Sequence, residues 1–476
     1  MNRTKIVCTL GPACDTDDKV RAMIQAGLSV ARINFSHGDH ASHADHIARV
    51  RRVALEEGHV VAVLGDLQGP KLRVGKIANG PVNIRAGQEI ILTTRDVPGD
   101  AHEVHLPHPD LVHDVKPGQR LLLDDGQLEF KVIATTDTDM RCLIVTGGQI
   151  SSNKGISAPG AHLTLSALTD KDRDDAKFAV EQQLDFLALS FVRTGKDVCE
   201  LHDLLDALGS KIPIVTKIEK SEALEDFDDI LRCSDAIMIA RGDLGVETPL
   251  EQVPIVQKDL IRRCNALSIP VITATQMLNS MITAPRPTRA EVSDVANAIY
   301  DGTDAVMLSA ETASGEYPVE AVQTMAKIAE VTENDVPFEK WSDRRIIHLA
   351  HGIAESIGHA TVEIAYEQNA KAIITATHTG NTARLIARFR PRATILAMTT
   401  SEIVQRQLAL VWGVKPVLSR HYDNSDEMIR TGSALAMKHG IAQPNDVLII
   451  TAGIPVADNR GTNMLKVHIV SEKDIV

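Results

Sequence analysis

Residues 30–36 read VARINFS, and two similar apolar runs flank them, KIVCTL at 5–10 and VVAVLGDL at 60–67. Each has the length and composition of a strand. Between the first two, Asp15 and Thr16 stand where a helix cap belongs and Gly27 where a helix stops, so a helix is expected over 15–25. A second, polar-starting helix is expected to run to Gly58. The order is βαβαβ, and strands joined through helices pair in parallel.

Working outward, the rhythm breaks at about Lys71 and returns after about Ala161. The interval holds short alternating runs, at 82–84, 89–93, 120–123, 129–133 and 140–145, punctuated by Gly, Pro and Asp-Gly. It reads as an inserted all-β domain. Strands are expected again at 185–191 (DFLALSF), 212–219 (IPIVTKIE), 236–243 (AIMIARGD), 270–276 (PVITATQ) and 305–311 (AVMLSAE), with helices at 197–208, 250–267 and 289–300 between them. Three strands before the insertion and five after it make eight, the number that closes a (β/α)₈ TIM barrel. A separate α/β unit follows, with a helix expected over 346–368 and strands at 372–377, 394–398, 415–418, 447–451 and 465–470. The last two are joined by a loop alone, which suggests a hairpin-like end. The expected division is 1–69 and 164–338 for the barrel, 70–163 for the inserted β lid and 339–476 for the C-terminal α/β domain.

Composition narrows the function. The chain has 476 residues, 44% of them apolar, enough for several cores. Its net charge is −13 and only 3% of its residues are aromatic, which argues against nucleic acid or an anionic membrane as partner. Six cysteines, at 8, 14, 142, 199, 233 and 264, form no CxxC pair, so buried reduced thiols are expected rather than a disulfide framework or a zinc site. No leader-like stretch or apolar run of spanning length is seen, and a cytoplasmic enzyme is the expectation.

Barrel enzymes carry their chemistry at the C-terminal ends of the strands, and polar residues gather there. Arg32, Asn34 and Ser36 recur at the two-residue period of one strand face and suit a carboxylate or phosphate. Strand three ends in Asp66, followed by Lys71 and Arg73; strand five ends in Lys217 and Glu219; strand six runs into Arg241-Gly242-Asp243; strand seven carries Thr275; strand eight carries Ser309 and Glu311. Glu219 and Asp243, on adjacent strands, form a hard oxygen site of the kind Mg²⁺ takes. Lys217 and Glu219 also fit a buried structural ion pair, and Lys217 a Schiff-base lysine. His37, His40, His43 and His46 recur every three residues; that spacing drifts around a helix, so a solvated helix start is expected, with His37 alone near the site. No P-loop, GxGxxG or HExxH is present.

Taken in order, KIVCTLGPA, ARINFSHG, GDLQGPKLR, TKIE, ARGDLGVE, ATQML, PRPTRAEVSDVANAIYDGTDAVMLSAET and TAGIPV resemble the pyruvate kinases. The resemblance implies transfer of the phosphoryl group of phosphoenolpyruvate to ADP, giving pyruvate and ATP by way of an enolate stabilised by Mg²⁺, which Mn²⁺ can replace. It implies a catalytic role for Lys217, Arg32 and Thr275. Glu219 and Asp243 would hold the metal. Asn34, Ser36, Asp66, Arg73 and Gly242 would line the substrate site, and Pro12, Asn34, His37 and Arg73 the nucleotide site. Asp125 and Lys154 would close over ADP from the lid. Many members carry Thr after the strand-three Asp, and Glu before Leu/Ile-Arg, where they build a K⁺ site. This chain has Leu67 and Lys71 there, so the lysine ammonium is expected to replace K⁺. The resemblance also implies a homotetramer, and an allosteric pocket for a sugar-phosphate or nucleotide activator at Thr377, Thr379, Gly380, Asn381 and Thr382. A second loop, 455–463, bears Asp458 and Arg460 and departs from the small, Gly/Ser-rich form usual in the family.

Overall fold

Strands β1 (Lys5–Thr9), β2 (Leu28–Asn34) and β3 (Ala62–Asp66) form the first parallel ladder. They are described here from a computed structural model covering residues 2–161, 166–336, 352–455 and 461–474. Between β1 and β2, the Thr16 hydroxyl accepts from Lys19 N and caps the helix Asp17–Ala26. Gly27 ends that helix at φ 121°, where a side chain would be strained.

The chain then leaves the barrel. Strands β4 (Val82–Ile84), β5 (Glu89–Thr93), β6 (Glu103–His105), β7 (Arg120–Leu123), β8 (Leu128–Thr135), β9 (Asp139–Thr146), β10 (Gly148–Ile150) and β11 (Ile156–Ser157) build the inserted domain. Six of them form one sheet in the order β11-β7-β8-β9-β5-β6, and β4 pairs with β10. The sheet has its own core, with Leu92, Leu121, Phe130, Val132 and Cys142 all buried. It is not wholly β. A short helix, Pro109–Asp114, buries Leu111 and Val112, two apolar residues too few to give a readable helical period.

Strands β12 (Phe186–Leu189), β13 (Ile214–Ile218), β14 (Ala236–Ala240), β15 (Val271–Ala274) and β16 (Ala305–Leu308) complete a closed, all-parallel, eight-stranded barrel; β16 returns to β1. Its interior is filled by alternate residues such as Val30, Leu64, Phe186, Met238, Ile272 and Met307, while the opposite strand faces pack on the helices.

The C-terminal sheet has the order β19-β18-β17-β20-β21, with β17 (Ala372–Ala376), β18 (Thr394–Thr399), β19 (Val414–Leu418) and β20 (Val447–Ala452) parallel. The last strand, β21 (Met464–Ile469), is antiparallel to β20, the hairpin-like end expected. Of the helix expected over 346–368, the part Ile353–Glu367 is helical, and 346–351 lie outside the described residues.

This unit is seated against the N-terminal end of the barrel. Ala409 and Leu410 belong to the same apolar cluster as the barrel interior. Several cations cross the seam. Lys5 donates to Val414 O at 2.7 Å, Arg390 Nη1 lies 2.8 Å from Asp304, and Arg406 Nε lies 2.7 Å from Asp185. Arg390 is fully buried, also donates to Asn265 Oδ1 and Gly302 O, and covers the Trp412 ring. Burial pulls the Lys5 ammonium down to about 8 against the attraction of Glu333 and Asp304. Among the described residues no helix is long and apolar enough to cross a membrane.

Candidate active site

At the C-terminal mouth of the barrel a buried charge network joins three strands. Arg32 stands on β2, its Nε 2.6 Å from Asp66 Oδ2 and its Nη1 donating to Thr9 Oγ1 at 2.8 Å. Asp66, the last residue of β3, is buried, and its other oxygen lies 3.4 Å from Lys217 Nζ. Lys217 on β13 also lies 2.8 Å from Glu219 Oε1 and donates to Ser190 Oγ at 2.8 Å. Glu219 Oε2 accepts from Phe191 N at 2.9 Å. Arg32, Asp66, Lys217 and Glu219 therefore form one connected cluster.

Lys217 and Asp66 hold each other ionised. Burial alone would lower the Lys217 ammonium, but Asp66 and Glu219 outweigh it and hold it well above the usual lysine range. Burial would raise Asp66, but Lys217 and Arg32 hold it below the usual carboxylate range. Glu219 moves the other way. Burial raises it, and the Asp243 carboxylate adds to that against the pull of Lys217. Two like charges facing one cleft call for a cation between them.

Glu219 and Asp243 line that cleft together with Lys71, Phe191, Arg193 and, from the inserted domain, Asp125 and Ser157. The donor set fits a hard divalent ion. Among the described residues no three His, Cys, Asp or Glu side chains converge on one point, so an ion here would rest on two carboxylates and complete its shell from water and substrate oxygens. That is the mode Mg²⁺ prefers.

Past β14 the chain does not continue as a strand. Residues Arg241–Glu247 turn into a short helix, which places Gly242 N on Thr275 Oγ1 at 2.7 Å. Arg241 is turned away from the cleft. Its guanidinium clamps Asp294 through both oxygens at 2.7 Å and holds Thr275 O at 3.0 Å. Thr275 and Gln276 follow β15 at φ 70° and 57°, and the Thr275 hydroxyl donates to Ala274 O. Non-glycine residues seldom adopt this backbone, and each such residue costs about 1–3 kcal/mol, so the surrounding clamp is what maintains it. The strand-eight residues are likewise bracing. Glu311 is buried and accepts from Ser309 N and Leu278 N.

Other expected residues sit apart from the cluster. β2 ends at Asn34, so Ser36 lies in the following turn, and Asn34 Oδ1 accepts from Ser36 N. Pro12 and His37 are exposed. Arg73 Nη1 donates to Asn153 O in the inserted domain, and Lys154 pairs with Asp124 at 2.8 Å. Lys71 lines the cleft, its side chain running beside Gly155. Among the described residues its ammonium has no ion-pair partner.

The histidine repeat is only in part the solvated start expected: His37 and His40 are exposed, whereas the next two turn inward. His43 is buried against Phe35, His40 stacks on Phe178 and bonds Asp175 at 2.8 Å, and His46 faces Asp15. The helix His40–Glu56 packs this face on the barrel. Ser190, Thr9 and the Phe191 amide were not singled out from sequence, although Ser190 does stand at the polar tip of DFLALSF.

In the C-terminal unit, Gly380 at φ 87° precedes the helix Asn381–Ala387. Thr377 Oγ1 accepts from Gly380 N, and Thr382 Oγ1 bonds Thr462 Oγ1, so both hydroxyls are engaged, while Thr379 and Asn381 are exposed. Asp458 and Arg460 lie outside the described residues.

Residues 1–322 match the family model "Pyruvate kinase, barrel domain", and 355–468 match "Pyruvate kinase, alpha/beta domain". The chain is 44% identical over 473 residues to a pyruvate kinase of Geobacillus stearothermophilus, covering 99% of this chain and 81% of that one. It is 43% identical over 475 residues to one of Staphylococcus aureus strain MRSA252, with the same coverage. A crystal structure of a pyruvate kinase from Cryptosporidium parvum superposes with a TM-score of 0.94 at 37% identity, covering 98% of this chain and 96% of that one.

Proposed function

This chain belongs to the pyruvate kinase family, a family of phosphotransferases, and from that premise we propose how its barrel mouth moves a phosphoryl group from phosphoenolpyruvate to ADP. The observation that carries the reading is the Lys217 ammonium, buried between Asp66 and Glu219 at the strand ends. Phosphoryl transfer is mostly positioning and charge stabilisation, and a fixed cation there meets both needs.

Arg32 and Lys217 grip the phosphoryl oxygens, each pre-aimed by Asp66. Gly242 N–H, now held by Thr275 Oγ1, turns to the substrate carboxylate, with Asn34, Ser36 and Arg73 around it. Pro12, Asn34, His37 and Arg73 contact the nucleotide, and Asp125 and Lys154 close over it from the lid, excluding water that would otherwise take the phosphoryl group. The bond from phosphorus to the enol oxygen breaks as one to the ADP β-phosphate forms. The enolate left behind is neutralised by Lys217 and gains a proton at carbon, routed from water that the Thr275 hydroxyl orients. Mg²⁺ or Mn²⁺, held by Glu219 and Asp243, would supply further positive charge for the phosphoryl oxygens.

Lys71 supports K⁺ independence, because an unpaired ammonium already occupies the cleft that a monovalent cation would otherwise serve. The exposed Thr379 and Asn381 beside Gly380 support an anionic, sugar-phosphate or nucleotide activator in the C-terminal unit, and the family resemblance supports a homotetramer.

The test couples pyruvate formation to NADH loss, with Mg²⁺, in buffer free of K⁺ and Na⁺. The expected result is full turnover that added K⁺ changes less than twofold. No pyruvate under any condition would overturn the transfer reading. Restoration of a silent enzyme by K⁺ would overturn the role of Lys71 alone.

A further inference from the structure

The expectation that all six cysteines are buried fails at one place. Cys8, Cys14, Cys142 and Cys264 are buried, but Cys199 is exposed and Cys233 half-buried, and their sulfurs lie 2.9 Å apart. The two belong to neighbouring helices on the barrel exterior. Cys199 stands in the second turn of Gly195–Ala207, and Cys233 ends Phe227–Cys233.

The local sequence forces this approach. Gly195 N donates to Asp226 Oδ2 at 2.8 Å, and a Cβ at Gly195 would fall 2.8 Å from the Asp229 carbonyl, so only glycine lets the helices meet this closely. One turn beyond Cys199, His202 Nε2 lies 2.9 Å from Cys233 O and, facing a carbonyl, must donate. The pair is thus braced from both ends by contacts that do not involve sulfur.

We propose that Cys199 and Cys233 are a reversible dithiol–disulfide site, oxidised by low-molecular-weight disulfides of the glutathione class. The Cys199 thiolate attacks the glutathione disulfide, forming a mixed disulfide and releasing one glutathione. The Cys233 thiolate then attacks the Cys199 sulfur and releases the second. Two thiols and one disulfide become one disulfide and two thiols, with the protein protons carried off by glutathione. The order follows from exposure, since Cys199 is the one open to solvent. Burial pushes the Cys233 thiol up to about 11, and its hydrogen bond with Cys199 adds to that, so it is not the thiol that attacks first.

The bond would staple the helices behind β12 and β13, the strands that lead to Ser190 and to Lys217 and Glu219, without touching the cleft. An exposed pair of this kind belongs to the labile disulfides compatible with a reducing compartment.

The experiment incubates the full chain with graded ratios of oxidised to reduced glutathione, blocks free thiols by alkylation, and maps peptides without reduction. The expected product is an intramolecular Cys199–Cys233 cross-link that dithiothreitol reverses, with Cys8, Cys14, Cys142 and Cys264 still alkylated only after unfolding. In Cys233→Ser the product should become a mixed disulfide of Cys199 with glutathione. Oxidation should also raise the thermal midpoint of the parent and leave that of Cys199→Ser unchanged. Both thiols staying alkylatable in excess oxidant would overturn the proposal. So would a mixed disulfide persisting in the parent, or a link between two chains. None of these outcomes bears on phosphoryl transfer, because neither cysteine lines its cleft.

Discussion

Replacing Lys217 by Met tests the cation at the barrel mouth most directly. Met keeps the length and most of the volume and removes only the charge and its three donors. At an effective dielectric constant of about 20, the pair at 2.8 Å is attracted by about 6 kcal/mol and the pair at 3.4 Å by about 5 kcal/mol. Most of that is offset by the desolvation of Lys217 itself. The net cost is set by what remains, namely two buried carboxylates, of which Asp66 keeps Arg32 and Glu219 keeps only the Phe191 amide. A loss of about 3–5 kcal/mol of stability is expected, less if Glu219 takes up a proton. The effect on chemistry is separate. A fixed cation aimed at developing negative charge is worth about 3–4 kcal/mol, so kcat should fall by a factor of about 10³ with a smaller change in KM. Urea unfolding gives the first number, and the coupled pyruvate assay, run well below the unfolding midpoint, gives the second. A folded variant that turns over within tenfold of the parent would refute the reasoning, because the charge would then be a structural pair and nothing more.

Two further outcomes follow from the seam between the barrel and the C-terminal unit. Arg390→Met removes a fully buried guanidinium and leaves Asp304 with the Val271 and Trp412 amides, so calorimetry should show a loss of about 3–5 kcal/mol, whereas a change under 1 kcal/mol would mean the seam reorganises. Lys5, lowered from 10.5 to about 8, binds fewer protons folded than unfolded between those values. Its burial is therefore most costly below pH 8, and the Lys5 contribution to stability should rise by about 3 kcal/mol as pH climbs from 8 to 10.5, read as the change in the stability difference between the parent and Lys5→Met.

How much could be read from the chain depended on how far each element's own pattern reached. Most strands of both α/β units stood out because they are runs of apolar residues buried on both faces; β21, at the sheet edge, is partly exposed. β4, β5 and β7 were found at their full lengths. Barrel strands were read too long at their C-terminal ends. AIMIARGD and PVITATQ look continuous, but Arg241–Glu247 is helical and Thr275 has positive φ, because the loops that hold polar tips must leave the ladder. β6, β10 and β11 escaped because each carries a single apolar residue and so shows no alternation, whereas the equally short β4 reads Val-Asn-Ile. Residue types at the site were legible, and partners were not. That Arg241 serves Asp294 while Arg32 serves Asp66 is a matter of which way two arginines point. Nothing along the chain links Cys199 to Cys233, which only the close crossing at Gly195 brings together.

The insertion of Ala409 and Leu410 into the barrel's interior cluster has a consequence for how the molecule can be cut. A tube of parallel strands normally supplies its own floor; this one borrows part of it from a segment some hundred residues further along the sequence. A truncation ahead of that segment would leave an open-bottomed cylinder wetted at its apolar centre, with Lys5 deprived of the Val414 carbonyl and Asp185 and Asp304 of their arginines. The C-terminal unit is thus a plug, and the two parts should melt together in one transition.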